Sequence, residues 1–98
     1  MSETESAGTQ RERQGAFDHL IPRGERRRLG ELVRQARIDA GLQQGDLAAA
    51  LDVSQAVISK IEAGDRGLTV LELLVICAGL GISWEYILQQ LEHERPSR

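Results

Sequence analysis

Only three aromatic residues, Phe17, Trp84 and Tyr86, occur in these 98 positions, so any core must be built from aliphatic side chains. Leu, Ile, Val and Ala pack readily as helix ridges in helix grooves, which points away from a sheet. Cysteine is scarcer still. Cys77 stands alone, which excludes an internal disulfide framework and fits a reducing cytoplasm. Long apolar runs are missing too: the longest, Leu73 to Leu80, falls far short of the ~18 residues a membrane span needs. The polar opening "MSETESAGTQ" offers no apolar stretch for a secretory signal. His19 and His93 stand apart from each other and from Cys77 without ligand spacing, so no metal site is expected. There is no nucleophile–base pair and no phosphate-cradling glycine loop either. Neither catalytic residues nor a cofactor is expected, and the enzyme class has almost no support.

What remains is enough for one domain. The residues are 41% hydrophobic and 28% charged, a globular balance, with a net charge of −3. That sign speaks against nucleic acid until it is resolved along the chain. Residues 1–22 hold two arginines against four acids, and residues 61–98 three against six. Residues 23–60 hold seven basic against five acidic side chains, so the middle of the chain is positive. Local surface charge matters more to a partner than the sum.

Organisation follows from periodicity. Residues 1–22 read as a flexible arm, polar at first and ending in the small apolar cluster of Phe17, Leu20 and Ile21 before Pro22. From Arg23, Leu29, Leu32, Val33, Ala36 and Ala40 recur at helical steps, and Gly41 stands where a helix stops. A second helix is expected over Gln44 to Leu51, and "DVS" makes a tight connection to a third, capped by Ser54 and reaching Ala63. Thr69 can cap a fourth helix to about Leu80. Gly81 punctuates it, and Ser83 caps a last helix through Leu91. The expected fold is all-α: a five-helix domain over 23–92 and a tail over 93–98.

Two helices joined by about three residues have the dimensions of a helix-turn-helix. The stretches "RIDAGLQQGDLA", "VSQAVISKIEAG" and "LGIS", in that order and spacing, resemble the DNA-binding domain of Cro and lambda-repressor-like (XRE-type) regulators. The resemblance covers residues 29 to 91. Beside it stands a physical reading. Ala48 is small where the helices would cross, and Leu47, Val53, Ile58 and Ile61 would fill the wedge. Asp52 takes a turn position where the family usually has Gly, and aspartate tolerates the left-handed conformation better than most residues. Gln43 stands in place of the family's usual Ser or Thr cap.

The resemblance implies that the helix over 54–63 enters the major groove of double-stranded DNA. Gln55 would then pair with adenine and Lys60 with guanine, Ala56 would meet a thymine methyl, and Ser59 would reach a base or a phosphate. Ser54, which opens this helix, is counted with its DNA-binding residues, the N-terminal ones facing base edges. Gln44 matches the family glutamine that binds a phosphate and braces the first recognition-helix residue. Arg66, in the following loop, is placed for phosphate. Without the spacing, Gln55, Ser59 and Lys60 are an ordinary solvated face. Arg26, Arg27 and Arg28 serve either phosphate contact or solubility. Arg37 and Glu62 match a family ion pair and are read as structural. Cys77 falls on a family core position, as do Val70, Leu73, Ile76 and Leu80.

That assignment leaves Leu71, Leu74, Val75 and Ala78 as a second apolar stripe on the fourth helix, extended by Trp84, Ile87 and Leu91. Such a patch marks an interface. A homodimer on a palindromic operator is one occupant; Phe17, Leu20 and Ile21 folding back is another. The short stand-alone regulators, bacterial or phage-encoded and cytoplasmic, are the best match, and repression is the expected activity. The other reading is an antitoxin-like module whose stripe binds another protein.

Overall fold

The computed structural model describes residues 16–93, so most of the N-terminal arm (1–15) and most of the tail (94–98) lie outside the described residues. A 3-10 turn at Asp18–Leu20 precedes five helices: α1 (Arg23–Asp39), α2 (Gln44–Leu51), α3 (Gln55–Ala63), α4 (Val70–Leu80) and α5 (Trp84–His93). No strand occurs among the described residues.

Each boundary has a chemical cause. The α1 C-terminus turns at Gly41, with φ of 76°. The α2 N-terminus is closed by Asp46, whose carboxylate accepts the Gln43 backbone N–H at 2.8 Å. Ser54 Oγ accepts the Val57 N–H at 3.4 Å to start α3. Thr69 and Glu72 close a reciprocal box at the start of α4, each side chain accepting the other's backbone N–H at 3.0 Å. Ser83 Oγ accepts the Glu85 N–H at 3.1 Å to open α5. Between α2 and α3, Asp52 adopts φ 58°, ψ 45°, the left-handed conformation its position demands. It is the only non-glycine residue with positive φ among the described residues.

The core is aliphatic. Val33, Ala36, Leu47, Ala48, Ile58, Ile61, Ile76 and Leu80 form one cluster, and Leu32, Leu73, Cys77 and Ile87 another. Leu29, Leu68 and Ile82 pack against both. Full burial of each Leu or Ile is worth about 1.5–3 kcal/mol, enough in sum to hold helices as short as α2, which would not persist alone.

Three expectations need correction. Ile87 is only 1% exposed: α5 packs against α1 and α4 and turns Ile87 inward onto Leu32, Leu73 and Cys77, so it does not belong to the outer stripe. Val70 is 64% exposed rather than part of the core; it is the first residue of α4, before the helix settles on its neighbours. Val53 is also exposed and lines the edge of an apolar groove of about 170 Å³ between the α2–α3 turn and α4 instead of filling the wedge.

One feature of the packing was not anticipated. A Cβ on Gly30 would fall 2.4 Å from the Ile61 carbonyl oxygen and 2.6 Å from that of Glu62. Backbone therefore meets backbone where α1 crosses α3. A helix interior loses about 1 kcal/mol for Gly over Ala, and here the loss permits the approach that seats α3.

Candidate nucleic-acid interface

Helix α3 has two faces. Ile58, Ile61 and Glu62 are buried, which fixes the helix against α1 and α2. Gln55, Ala56, Ser59 and Lys60 are exposed on the other side. Ser54, at the N-cap, uses its oxygen to accept the Val57 N–H, and its own O–H proton stays free to donate. At the far end, the Lys60 carbonyl accepts the backbone N–H groups of Asp65 and Arg66 at 2.9 and 3.3 Å, so the loop beyond α3 is tied to the helix.

Polar side chains connect this face to the interior. Arg37 donates from Nε to Glu62 Oε2 at 2.7 Å and from Nη2 to Glu62 Oε1 at 3.1 Å. Its third arm donates to the Leu42 carbonyl at 2.7 Å. The pair is buried, with Arg37 at 8% and Glu62 at 6% exposure, and the hydrogen bond to Glu62 raises the arginine's already high pKa. Removing one partner of such a pair strands the other charge in a poorly solvated place. Glu62 Oε1 also accepts Gln44 Nε2 at 3.0 Å. Gln44 Oε1 in turn lies 3.5 Å from Gln55 Nε2. Gln44 and Gln55, from different helices, are thus brought together over the buried pair.

Arg66 is placed differently from what its loop position suggests. Its Nη2 donates to Glu72 Oε2 at 2.8 Å and its Nη1 to the Gly67 carbonyl at 3.2 Å. Arg66 holds the Glu72 carboxyl below its ordinary range, with help from the Thr69 backbone N–H. The arginine therefore braces the start of α4, a contact the sequence does not reveal because a separation of six in a loop carries no periodic signal.

Helix α4 exposes Leu71 at 72% and Val75 at 56%, with Ala78 and Trp84 also exposed. Leu74 and Leu91 are half-buried. Phe17, Leu20 and Ile21 are themselves exposed, so they do not bury this stripe. No single helix among the described residues is long and apolar enough to cross a membrane, and none of their His, Cys, Asp and Glu side chains form a group of three fit for a metal. Burial pushes the Cys77 thiol up, away from the reactive thiolate.

A short α2, a left-handed turn and an α3 with a buried aliphatic face and an exposed polar one define a helix-turn-helix. The helix-turn-helix family model matches residues 33–87, and the chain belongs to that family, in its XRE-type branch of non-enzymatic DNA-binding regulators. Among solved structures it is similar to an XRE-family like protein from Pseudomonas syringae pv. tomato, at 36% identity and TM-score 0.67, covering 74% of this chain and 89% of that one. It is also similar to ClgR, the clp gene regulator of Corynebacterium glutamicum, at 28% identity and TM-score 0.69, covering 76% and 96%. The restriction–modification controller protein C.AhdI from Aeromonas hydrophila shares the fold at 22% identity and TM-score 0.62, covering 65% and 97%. None of the curated proteins matches in sequence.

Proposed function

We propose that this DNA-binding regulator is a cytoplasmic repressor that binds a palindromic operator as a homodimer, with one α3 in each of two successive major grooves. The observation that carries the reading is the division of α3: its buried aliphatic face fixes the helix while Gln55, Ala56, Ser59 and Lys60 face solvent together. Those side chains suit an adenine edge, a thymine methyl, a phosphate and a guanine edge respectively. Ser54 and Gln44 flank them beside the sugar–phosphate backbone. Arg66 contributes to phosphate only to the extent that it leaves Glu72.

The dimer rests on the apolar face of Leu71, Val75, Ala78 and Trp84, with Leu74 and Leu91 at its margin. Burying it against a twin gains ~25 cal/mol per Å² of apolar surface, less the cost of association. Recognition helices then stand about one DNA turn, roughly 34 Å, apart. ClgR and C.AhdI, a gene regulator and a controller protein, are precedents for a regulator on this fold.

Footprinting on the promoter of the chain's own gene, together with sedimentation with and without the protected duplex, tests the proposal. Two chains on one symmetric protected site is the expected result. A monomer at micromolar concentration that protects no site would overturn it. The same exposed face also suits a different protein, as an antitoxin would use it. Stoichiometric recovery of that protein, with sedimentation showing one chain of each, would favour this second reading.

A further inference from the structure

The glutamine pair that faces outward is not free to choose its orientation. A carboxylate has no proton to give, so Glu62 can only accept. The Gln44 atom 3.0 Å from Glu62 Oε1 must therefore be the amide nitrogen, and the oxygen of Gln44 is forced to the other side. That oxygen lies 3.5 Å from the Gln55 amide, where only the nitrogen of Gln55 is complementary. One proton of the Gln55 Nε2 is thereby directed to Gln44. Its second proton and its Oε1 remain for a ligand. Glu62 itself cannot turn, because Arg37 holds both of its oxygens, at 2.7 and 3.1 Å. The order of donors and acceptors therefore runs outward from the core, and its outermost pair is one donor and one acceptor.

We propose that buried Glu62 is a positioning residue for base readout: through Gln44 it sets the polarity of the Gln55 amide, and so the class of base edge that Gln55 takes. One acceptor beside one donor is the complement of adenine, whose major-groove edge offers the N6 amino group and the N7 acceptor. The opposite polarity, two outward protons, would suit the paired acceptors of guanine. The inference rests on α3 being the DNA-reading helix and adds the reason why its first residue prefers one base over another. It also gives the core ion pair a second role besides stability. The shorter bonds fix Glu62 and Gln44, and the 3.5 Å link to Gln55, the longest of the series, passes the polarity outward.

The experiment uses the full chain and a random-sequence duplex library. Selection on wild-type protein gives the preferred site, and Gln55→Ala marks the base pair that Gln55 reads, as the one position whose preference disappears. Affinities are then measured on all four base pairs at that position for wild type, Gln44→Met and Glu62→Gln, with thermal unfolding run alongside. Gln44→Met keeps the core pair and removes the intermediate amide. Glu62→Gln keeps the shape and removes the acceptor-only constraint. Both variants should lose preference at that single position, on the order of tenfold, while preferences elsewhere in the site are kept.

If a folded Glu62→Gln or Gln44→Met weakens binding to all four duplexes alike, the two residues serve only stability or phosphate contact, and the proposal is overturned. Should Glu62→Gln not fold, Gln44→Met decides alone. If wild type selects no site at all, what fails is the reading of α3 as a DNA-binding helix, a separate result.

Discussion

Helices α3 and α4 follow one another in the chain, at nine and eleven residues, and both bury an aliphatic face in the same core. Their outer faces differ in kind. The α3 face is polar and anchored from beneath through Gln44 and Glu62 to Arg37. The α4 face is apolar, and Leu71 and Val75 stand in solvent. A polar outer face with a fixed orientation suits a ligand read by hydrogen bonds. An apolar outer face suits one that is recognised by exclusion of water. One small core can thus position two unrelated surfaces, each needing its own partner, and burial alone does not say which surface is used.

The largest expected effect separates the two surfaces. Leu71→Glu or Val75→Glu should leave the fold intact and give a monomer, as seen by sedimentation, because neither side chain is needed in the intrachain core. Operator affinity should fall by about 5 kcal/mol, near half the binding free energy of a typical specific complex. A dimer that survives both changes would place the self-contact elsewhere. Next, Arg37→Ala strands Glu62 and should cost about 3–5 kcal/mol of stability, while Arg27→Ala on the exposed side of α1 changes the melting temperature little. Equal losses would mean that the buried pair does not anchor α3. Gly30→Ala ranks third. Its new methyl meets the Ile61 and Glu62 carbonyls, and overpacking of this sort costs about 1–3 kcal/mol, outweighing alanine's better helix propensity. An unchanged or raised melting temperature would show that α1 and α3 can part without loss.

The smallest effect concerns the start of α4. Arg66, then the Thr69 N–H, lower the Glu72 pKa, so the folded state prefers the carboxylate. The stability this contributes is present above the unfolded carboxyl's pKa and disappears as pH falls through the lower folded value. Thermal midpoints taken from pH 6 downward should therefore converge for wild type and Glu72→Gln in acid. Because the Arg66–Glu72 pair is partly solvated, the gap at pH 6 is small. Divergence on acidification would contradict the assignment.

Much of the fold was legible because its signals are local. Ser54, Thr69 and Ser83 cap helices where their hydroxyls sit before an apolar period, and Asp52 occupies the left-handed turn that its short polar side chain tolerates. Arg37 and Glu62 were readable only through the family resemblance, since a separation of 25 residues carries no periodic signal. The errors share a cause. Ile87 joins the outer stripe by spacing and Val70 joins the core by the family resemblance, yet which residues face inward depends on how the helices pack, a tertiary fact. Arg66 reads as a loop cation for phosphate because nothing in the sequence pairs it with Glu72, whose one carboxylate serves both Arg66 and the Thr69 N–H. The close approach at Gly30 is not legible because a single glycine in a helix is a weak signal until the neighbouring backbone is known.

The function proposed for this chain stands or falls with whether the exposed face of α3 reads DNA. Its most direct test is the affinity of wild type and Gln55→Ala for the selected duplex and for a random one, across a range of salt. A DNA-reading α3 should give a steep log–log salt dependence on both duplexes and tighter wild-type binding to the selected one. Gln55→Ala should lose about 1–3 kcal/mol on that duplex alone. Equal binding of wild type and Gln55→Ala to both duplexes would contradict the account.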